Sequence, residues 1–286
     1  MDTKLQTFLV LCRFMNYRLT AEELHLTQPA VTKQIQALEQ LYQTKLFTYD
    51  GRKLEKTSAG LLLEEYAQRL QYNYEEIQKA LKGNEEVFIR IGATKTIGDY
   101  VIGDWVAKYL SFSNHRLSLI IDNTERLLHM LDSAQLDFVI LEGLFNKKKY
   151  DFQLLKKELF VGICPKNHRF AGKRVSIAEI LKEAIIVREE GSGTRDILEF
   201  ELKRNGYELT IFSKVTYISS FKLIRELVLK GFGISFVYSA VVEDAKDSFA
   251  TFMVENFNFE YEFNIVYLKN TNAKKHIKQF FQDGNK

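Results

Sequence analysis

Gln28, Thr32, Lys33 and Gln36 fall on one face of a helix by their spacing. Two amides, a hydroxyl and one ammonium group make a poor catalytic set. They are well suited to the donor and acceptor pattern of base edges and to phosphates. Arg52 and Lys53 follow the Asp50-Gly51 pair, a hairpin signal. Two cations at such a tip can sit on phosphates or enter a minor groove. A third set lies where strands give way to helices: Thr94-Lys95-Thr96, Asn123-Thr124 and Gly191-Ser192-Gly193-Thr194. Hydroxyls and backbone amides at helix N-termini can cradle a carboxylate, sulfate or phosphate. Glu142 ends a strand and can select a cationic or hydroxyl group on a ligand; Ser219-Ser220 is a weaker fourth stretch. As N-caps alone, Thr94, Thr124 and Thr194 would contribute about 1 kcal/mol each to their helices.

Little else in the chain could do chemistry. The five histidines, His25, His115, His129, His168 and His276, have no metal-ligand spacing, and neither a Gly-x-Ser-x-Gly elbow nor a Walker loop occurs. Ser192 has no base near it in sequence and reads as a donor, not a nucleophile. The chain is therefore expected to be no enzyme, with no metal and no cofactor.

The elements that must position these residues are legible in turn. Leu5, Phe8, Leu9, Cys12 and Met15 recur at helical spacing and predict a support helix. Thr20 and Glu23 form a capping-box pattern, predicting a short helix with Ala21 and Leu24 inward. Pro29 fits a first helical turn, so Thr27 or Gln28 should cap a second helix. Its buried stripe would be Val31, Ile35, Leu38 and Leu41/Tyr42. Residues 45–57 read as strand, turn, strand. From Ser58 a helix about 35 Å long carries Leu63, Ala67, Leu70, Tyr74, Ile77 and Leu81 as a short heptad seam that needs a partner. Gly83 should stop it, with residues 83–86 as a hinge.

From Val87 apolar strands alternate with helices, the pattern of an α/β domain with a mainly parallel sheet. One helix opening at Thr94 should carry Val101, Trp105 and Leu110. The chain should leave the first sheet near residue 164 and return near 266, making two lobes joined by two crossovers. In such sheets ligands bind beyond the C-terminal strand ends, where the third set of residues falls.

The run Gln28-Pro-Ala-Val-Thr-Lys-Gln-Ile-x-x-Leu-Glu39, followed by Leu46-Phe47, resembles the DNA-binding signature of LysR-type transcriptional regulators. Further on, Ile91-Gly-Ala-x-x-Thr-Ile-Gly-x-Tyr100, Asn123-Thr-Glu125 and Gly191-Ser-Gly-Thr-Arg195 resemble stretches of that family's effector half. The resemblance implies a winged helix-turn-helix over residues 1–57 and a linker helix over 58–82 that pairs two subunits through Leu63, Leu70, Tyr74, Ile77 and Leu81. It further implies an effector domain over 87–286, similar to periplasmic binding proteins. Its first lobe would cover about 87–162 and 268–286, and its second about 163–267. Contacts to double-stranded DNA would come from Thr27, Gln28, Pro29, Ala30, Thr32, Lys33 and Gln36, with Arg52 and Lys53 from the wing. A homodimer or homotetramer and contact with RNA polymerase are further implications. Three positions depart from the pattern: Gln43 replaces a usual Gly, Tyr49 a usual Arg, and Gly103 a frequent Pro.

Composition agrees with this class. The chain has 286 residues, 46% hydrophobic and 27% charged, enough for more than one core. Net charge is +3, and residues 1–60 hold eight Lys/Arg against six Asp/Glu. So weakly basic a DNA-binding domain must rely on local placement and on dimerisation. No apolar run is long enough to span a bilayer, so no membrane partner is expected. Met1-Asp2-Thr3-Lys4 opens no signal peptide, which predicts a cytoplasmic protein and argues against an exported solute-binding protein. Cys12 and Cys164 lie far apart among apolar residues and read as buried small hydrophobes. The function these readings predict is DNA-binding regulation by a small effector, anionic in character, bound between two lobes. The alternative is the same architecture without a ligand, its effector half serving only assembly.

Overall fold

A computed structural model describes residues 1–81 and 86–282 of the chain. The expected stop at Gly83 and most of the expected hinge lie outside these residues. Two compact units form, one built chiefly on residues up to 85 and one on residues from 86 onward.

The first unit opens with α1 (Thr3–Phe14), α2 (Tyr17–Glu23) and α3 (Gln28–Tyr42). The side chain of Asn16 accepts from the N–H groups of Arg18 and Leu19, so α2 begins at Tyr17 rather than after Thr20. Thr20 is buried within the helix and its hydroxyl returns to the Asn16 carbonyl at 2.8 Å. Asn16 wins because it satisfies two orphan donors at once, where the Thr20-Glu23 box would start a helix already under way. Thr27 caps α3 by accepting from the Ala30 N–H, with Pro29 in the first turn. Val31, Ile35 and Leu38 pack with Phe8, Leu11, Cys12, Ala21, Leu46 and Phe47 into one core. Leu41 and Tyr42, expected on that stripe, are exposed at 66% and 46%. The last turn of α3 carries them clear of the core formed with α1 and α2. Gln43 ends the helix in the left-handed region, φ 52°, a conformation that a Gly adopts at less cost.

β1 (Phe47–Asp50) and β2 (Lys53–Lys56) pair antiparallel, Asp50 opposite Lys53, leaving Gly51 and Arg52 as the two-residue tip. Gly51 has φ 63°, which a primed hairpin turn requires at that position. Glu39 fastens this hairpin to α3, accepting from the Leu46 N–H at 3.0 Å and from Lys45 Nζ at 2.6 Å. Thr57 caps α4 (Ser58–Leu81) through the Gly60 N–H. Ala67 is buried in the unit's core with Leu63 packed against it, while Leu70, Tyr74, Ile77 and Leu81 are exposed.

The second unit begins with β3 (Val87–Thr94), α5 (Lys95–Tyr100), α6 (Gly103–Leu110), β4 (His115–Asp122), α7 (Thr124–Asp132) and β5 (Phe138–Glu142). The single helix expected after Thr94 is two. The N–H groups of Val101 and Ile102 both turn to the Ile97 carbonyl and break the ladder. β6 (Tyr150–Pro165) then runs through both lobes. The second lobe adds β7 (Arg174–Val175), α8 (Ile177–Ile180), β8 (Ala184–Val187), α9 (Gly193–Arg204), β9 (Lys214–Tyr217), α10 (Phe221–Leu229), β10 (Ser235–Tyr238) and β11 (Phe249–Val254). β12 (Glu260–Leu268) and α11 (Ala273–Gln282) return to the first.

β3 lies between β4 and β5, parallel to both, and β12 joins β5 and β6 antiparallel. On the second lobe β10 and β11 pair antiparallel with β6, while β8 pairs parallel with β9 and bridges to Ile234. The sheets are thus mixed rather than mainly parallel, because the two crossing strands, β6 and β12, run against their neighbours. Residues 150–159 of β6 pair with β12, and residues 160–165 pair with β10 and β11. The outward crossover therefore lies at Leu159–Phe160 rather than near 164. All of β12 pairs in the first lobe, so the return is complete by Glu260 rather than near 266–268. The Phe160 N–H donates to the Phe259 carbonyl at 2.7 Å, tying the two crossovers together.

Candidate functional site

Three parallel strands deliver residues to one place where the lobes meet. β3 ends at Thr94, β4 at Asp122 just before Asn123-Thr124, and β5 at Glu142. From the second lobe, α9 brings Ser192, Gly193 and Thr194 against them. Thr94, Thr96, Thr124, Glu142, Ser192 and Thr194 are all buried. Glu142 is the centre of the group. Its carboxylate accepts from the hydroxyl of Thr94, from Thr96 Oγ1 at 2.9 Å and, across the lobes, from Thr194 Oγ1 at 3.5 Å. Burial raises the Glu142 carboxyl above its usual range. The hydrogen bonds from Thr94 and Thr96 and the Arg188 charge oppose that rise without cancelling it.

The lobes meet closely here. A Cβ on Gly193 would lie 2.4 Å from the Glu142 carbonyl oxygen and 3.0 Å from Thr124 Oγ1. Only a glycine lets α9 begin so near β5. No side chain caps α9, since Ser192 makes no cap hydrogen bond. The Thr124 hydroxyl and the Tyr238 hydroxyl, both buried, have no hydrogen-bond partner.

The remaining expected residues stand around this centre. Lys95 Nζ bridges to Glu189 at 3.3 Å and to the Ser219 carbonyl at 2.9 Å. Asn123 accepts from the Arg126 N–H in the first turn of α7. Ser219 and Ser220 are exposed, and Ser220 Oγ accepts from the Leu223 N–H as the cap of α10.

Four residues here, Arg188, Glu189, Asp99 and Tyr238, carry charge or polarity that the sequence reading did not single out. Arg188 is buried directly after β8. It donates to Glu189 at 2.7 and 2.8 Å and lies over the Phe221 ring, 4.4 Å from its centroid. Burial alone would raise Glu189, but the Arg188 hydrogen bonds and charge outweigh it and hold Glu189 below its usual range. Asp99 is pushed up by burial, against the charges of Arg188 and Lys95. The position of Arg188 at the C-terminal end of an apolar run was the available signal. Tyr238 offered none, since its strand reads as plain core.

In the first unit Gln28, Pro29, Lys33 and Gln36 are exposed on α3, with Ala30 and Thr32 half-buried among them. The Thr32 hydroxyl donates back to the Gln28 carbonyl at 3.0 Å. Arg52 and Lys53 are exposed at the hairpin tip, and Tyr49 is exposed beside them.

Residues 3–61 match the model of the bacterial regulatory helix-turn-helix proteins of the lysR family, and residues 84–283 match the LysR substrate binding domain. The chain belongs to the LysR family. An uncharacterised HTH-type transcriptional regulator of Methanocaldococcus jannaschii is 30% identical over 256 residues, 87% of this chain and 86% of that protein. Among solved structures, a full-length OxyR of Pseudomonas aeruginosa, carrying one cysteine-to-aspartate substitution, superposes with a TM-score of 0.67 at 20% identity, over 98% of this chain and 93% of that one. The regulatory domain of Synechocystis CcmR, solved in complex with 2-PG, has a TM-score of 0.59 at 19% identity over 68% of this chain and 95% of its own. As a LysR-type protein the chain is a DNA-binding transcriptional regulator, not an enzyme. Among the described residues no helix is long and apolar enough to cross a membrane.

Proposed function

We propose that this LysR-type regulator binds a small anionic effector in the crevice around Glu142, and that the bound state changes how two copies of α3 hold DNA. The observation that carries the reading is the convergence of four buried threonines, Thr94, Thr96, Thr124 and Thr194, where the two lobes meet beside the first turn of α9, whose N-cap Ser192 makes no side-chain hydrogen bond. Three of them come from the first lobe and one from the second. A ligand touching both lobes biases their relative position, and a differential affinity of about 1–3 kcal/mol is enough for regulation. Gln28, Thr32 and Gln36 read bases, Lys33, Arg52 and Lys53 hold phosphates, and the exposed stripe of α4 joins the two copies, which act on the chromosome in the cytoplasm alongside RNA polymerase. A thermal-shift screen of the full chain with small carboxylates, amino-acid derivatives, sulfate and phosphate tests the effector. At least one should stabilise the wild type, and Thr94→Ala with Ser192→Ala should abolish that shift.

One observation favours a second reading, in which the effector half serves assembly alone. Glu142 already accepts hydrogen bonds from the hydroxyls of Thr94, Thr96 and, at 3.5 Å, Thr194. Footprinting upstream of the protein's own gene separates the two: a pattern indifferent to every compound of the screen supports the assembly role.

A further inference from the structure

We propose that the groove between α11 and the free edge of β6 is a second small-molecule site, fitted to a monocarboxylate carried on an aromatic or alkyl body. It lies apart from the residues around Glu142 and does not depend on their binding an effector.

The groove exists because the helical layer stops one strand short of the sheet edge. Residues 150–159 of β6 pair with β12 alone, and β10 and β11 join β6 only from Phe160 onward. α11 packs toward α6 rather than over that edge: Phe281 meets the Trp105 ring at 5.5 Å, and Phe280 meets the Tyr109 ring at 5.5 Å. Between helix and edge remains a groove of about 410 Å³, a volume usual for small-molecule sites. Its walls are apolar: Leu155 of β6, Ile265 of β12, and Ile277 and Phe281 of α11.

The rim is cationic. Lys274 and Lys278 line the groove with Ile277 and Phe281, at the spacing of a single helix face. Both lysines are exposed, and neither has an ion-pair partner among the described residues. Glu158, Glu260 and Glu262 of the two strands are already bridged, to Lys156, Lys157 and Lys147. No carboxylate lines the groove among the described residues. Like charges one turn apart destabilise a helix. Lys274 also stands in a first turn that holds no acid, where the helix dipole disfavours a cation. A carboxylate bound between the two ammonium groups relieves both conflicts.

The walls set the rest of the ligand. An acid without an apolar body leaves them wet, and an apolar body without a charge leaves the two lysines unanswered. Gln153, opposite Ile265, adds one exposed amide to the lining, where it donates to the Tyr267 hydroxyl at 3.4 Å.

Titration calorimetry of the full chain with phenylacetate and hexanoate tests this, with phenethyl alcohol, hexanol and acetate as partial ligands. At least one acid should bind about tenfold or more tightly than its alcohol and than acetate. The better of the two acids tells an aromatic body from an alkyl one. Lys274→Gln with Lys278→Gln should bring acid and alcohol within about threefold of each other. Gln153→Glu, nearly isosteric at an exposed position, adds a carboxylate to the lining. It should weaken the acid about threefold or more and leave the alcohol unchanged. Thermal melts check that these variants fold. An acid bound no better than its alcohol, neither acid bound at millimolar concentration, or an affinity unchanged in both variants would overturn the proposal. So would binding lost in Thr94→Ala with Ser192→Ala but kept in the lysine variant, which would place the acid beside Glu142 instead. A mass changed by light scattering in the lysine variant, with acid affinity unchanged, would give the groove to a second copy of the chain.

Discussion

Gly143 and Gly193 meet backbone to backbone where the lobes join: a Cβ on Gly143 would stand 2.9 Å from the Cα of Gly193. Gly143 also holds φ 93°, where other residues are strained. The two lobes can close only because neither residue has a side chain.

Gly193→Ala should therefore push α9 off β5. Overpacking of this kind costs about 1–3 kcal/mol, which for a domain of this size lowers Tm by roughly 2–10 °C. Gly103→Ala is the matched control, because a Cβ there meets nothing within 4 Å. Thermal unfolding of the two variants checks the difference. Equal melting temperatures would remove the close approach as a feature of the native state.

Glu142 makes stability depend on pH in a defined sense. Burial raises its carboxyl above the ordinary glutamate value. Between the unfolded and folded values the folded chain holds the extra proton, so stability falls as pH rises through the folded pKa. Glu142→Gln lacks that titration. The variant should gain stability relative to the wild type at pH 8, and the gap should narrow as pH is lowered through the folded pKa toward the ordinary glutamate value. Urea melts at several pH values measure it, and a gap independent of pH would show that Glu142 does not titrate in the folded chain.

The parts of this protein legible in its sequence are those where one local rule decides. Thr27-Gln28-Pro29 starts α3 because a capping hydroxyl and a proline in the first turn agree. Asp50-Gly51 makes the hairpin because Gly51 alone has to turn. Where two local rules competed, sequence reasoning chose wrongly: Thr20 could cap, yet Asn16 capped first. Strand direction and crossover position were hidden, since an apolar run such as Tyr261–Leu268 reads the same whether it lies parallel or antiparallel to its neighbours. The crevice was legible as far as its hydroxyls. That Glu142 would accept their hydrogen bonds was not, because the distance between Thr96 and Glu142 is a product of the sheet, not of spacing in the chain.

On the face of α3 proposed to meet DNA, Gln28 and Gln36 are exposed on the same side. Gln28→Ala or Gln36→Ala should relax preference at one base position per half-site, a loss of about 1–3 kcal/mol of discrimination. Lys33→Ala and Arg52→Ala should instead weaken all sequences alike and reduce the salt slope by about one each. Selection from a randomised site, with titrations at two salt concentrations, separates the two classes. An unchanged selected motif in both glutamine variants would show that α3 reads bases by other residues.

Leu70 and Ile77 are 55% and 57% exposed on α4, with Tyr74 between them. A single chain has no reason to present such a stripe to water. Leu70→Asp with Ile77→Asp should produce a species of half the wild-type mass by light scattering and cost most of the affinity for a two-half-site operator. Folding is not at stake, because neither residue belongs to the core that α4 shares with α1 and α3. A wild-type mass in the double variant would transfer dimerisation to another surface.

Cys12 and Cys164 are the only thiols, both free and both buried. Burial raises both, Cys164 to about 11 and Cys12 further, with the Glu64 charge adding to the effect on Cys12. The thiolate is the nucleophile in oxidation and alkylation, so each is held in its unreactive form near neutrality. Neither sulfur is therefore placed to sense an oxidant. The native protein should react with a thiol-specific chromogenic disulfide far more slowly than the urea-unfolded chain, which should release two equivalents. Treatment with millimolar hydrogen peroxide should leave DNA binding unchanged, and Cys164→Ser should behave as the wild type in that assay. Fast labelling of either thiol in the folded protein would contradict this, and peroxide-dependent footprints lost in Cys164→Ser would assign it a redox role.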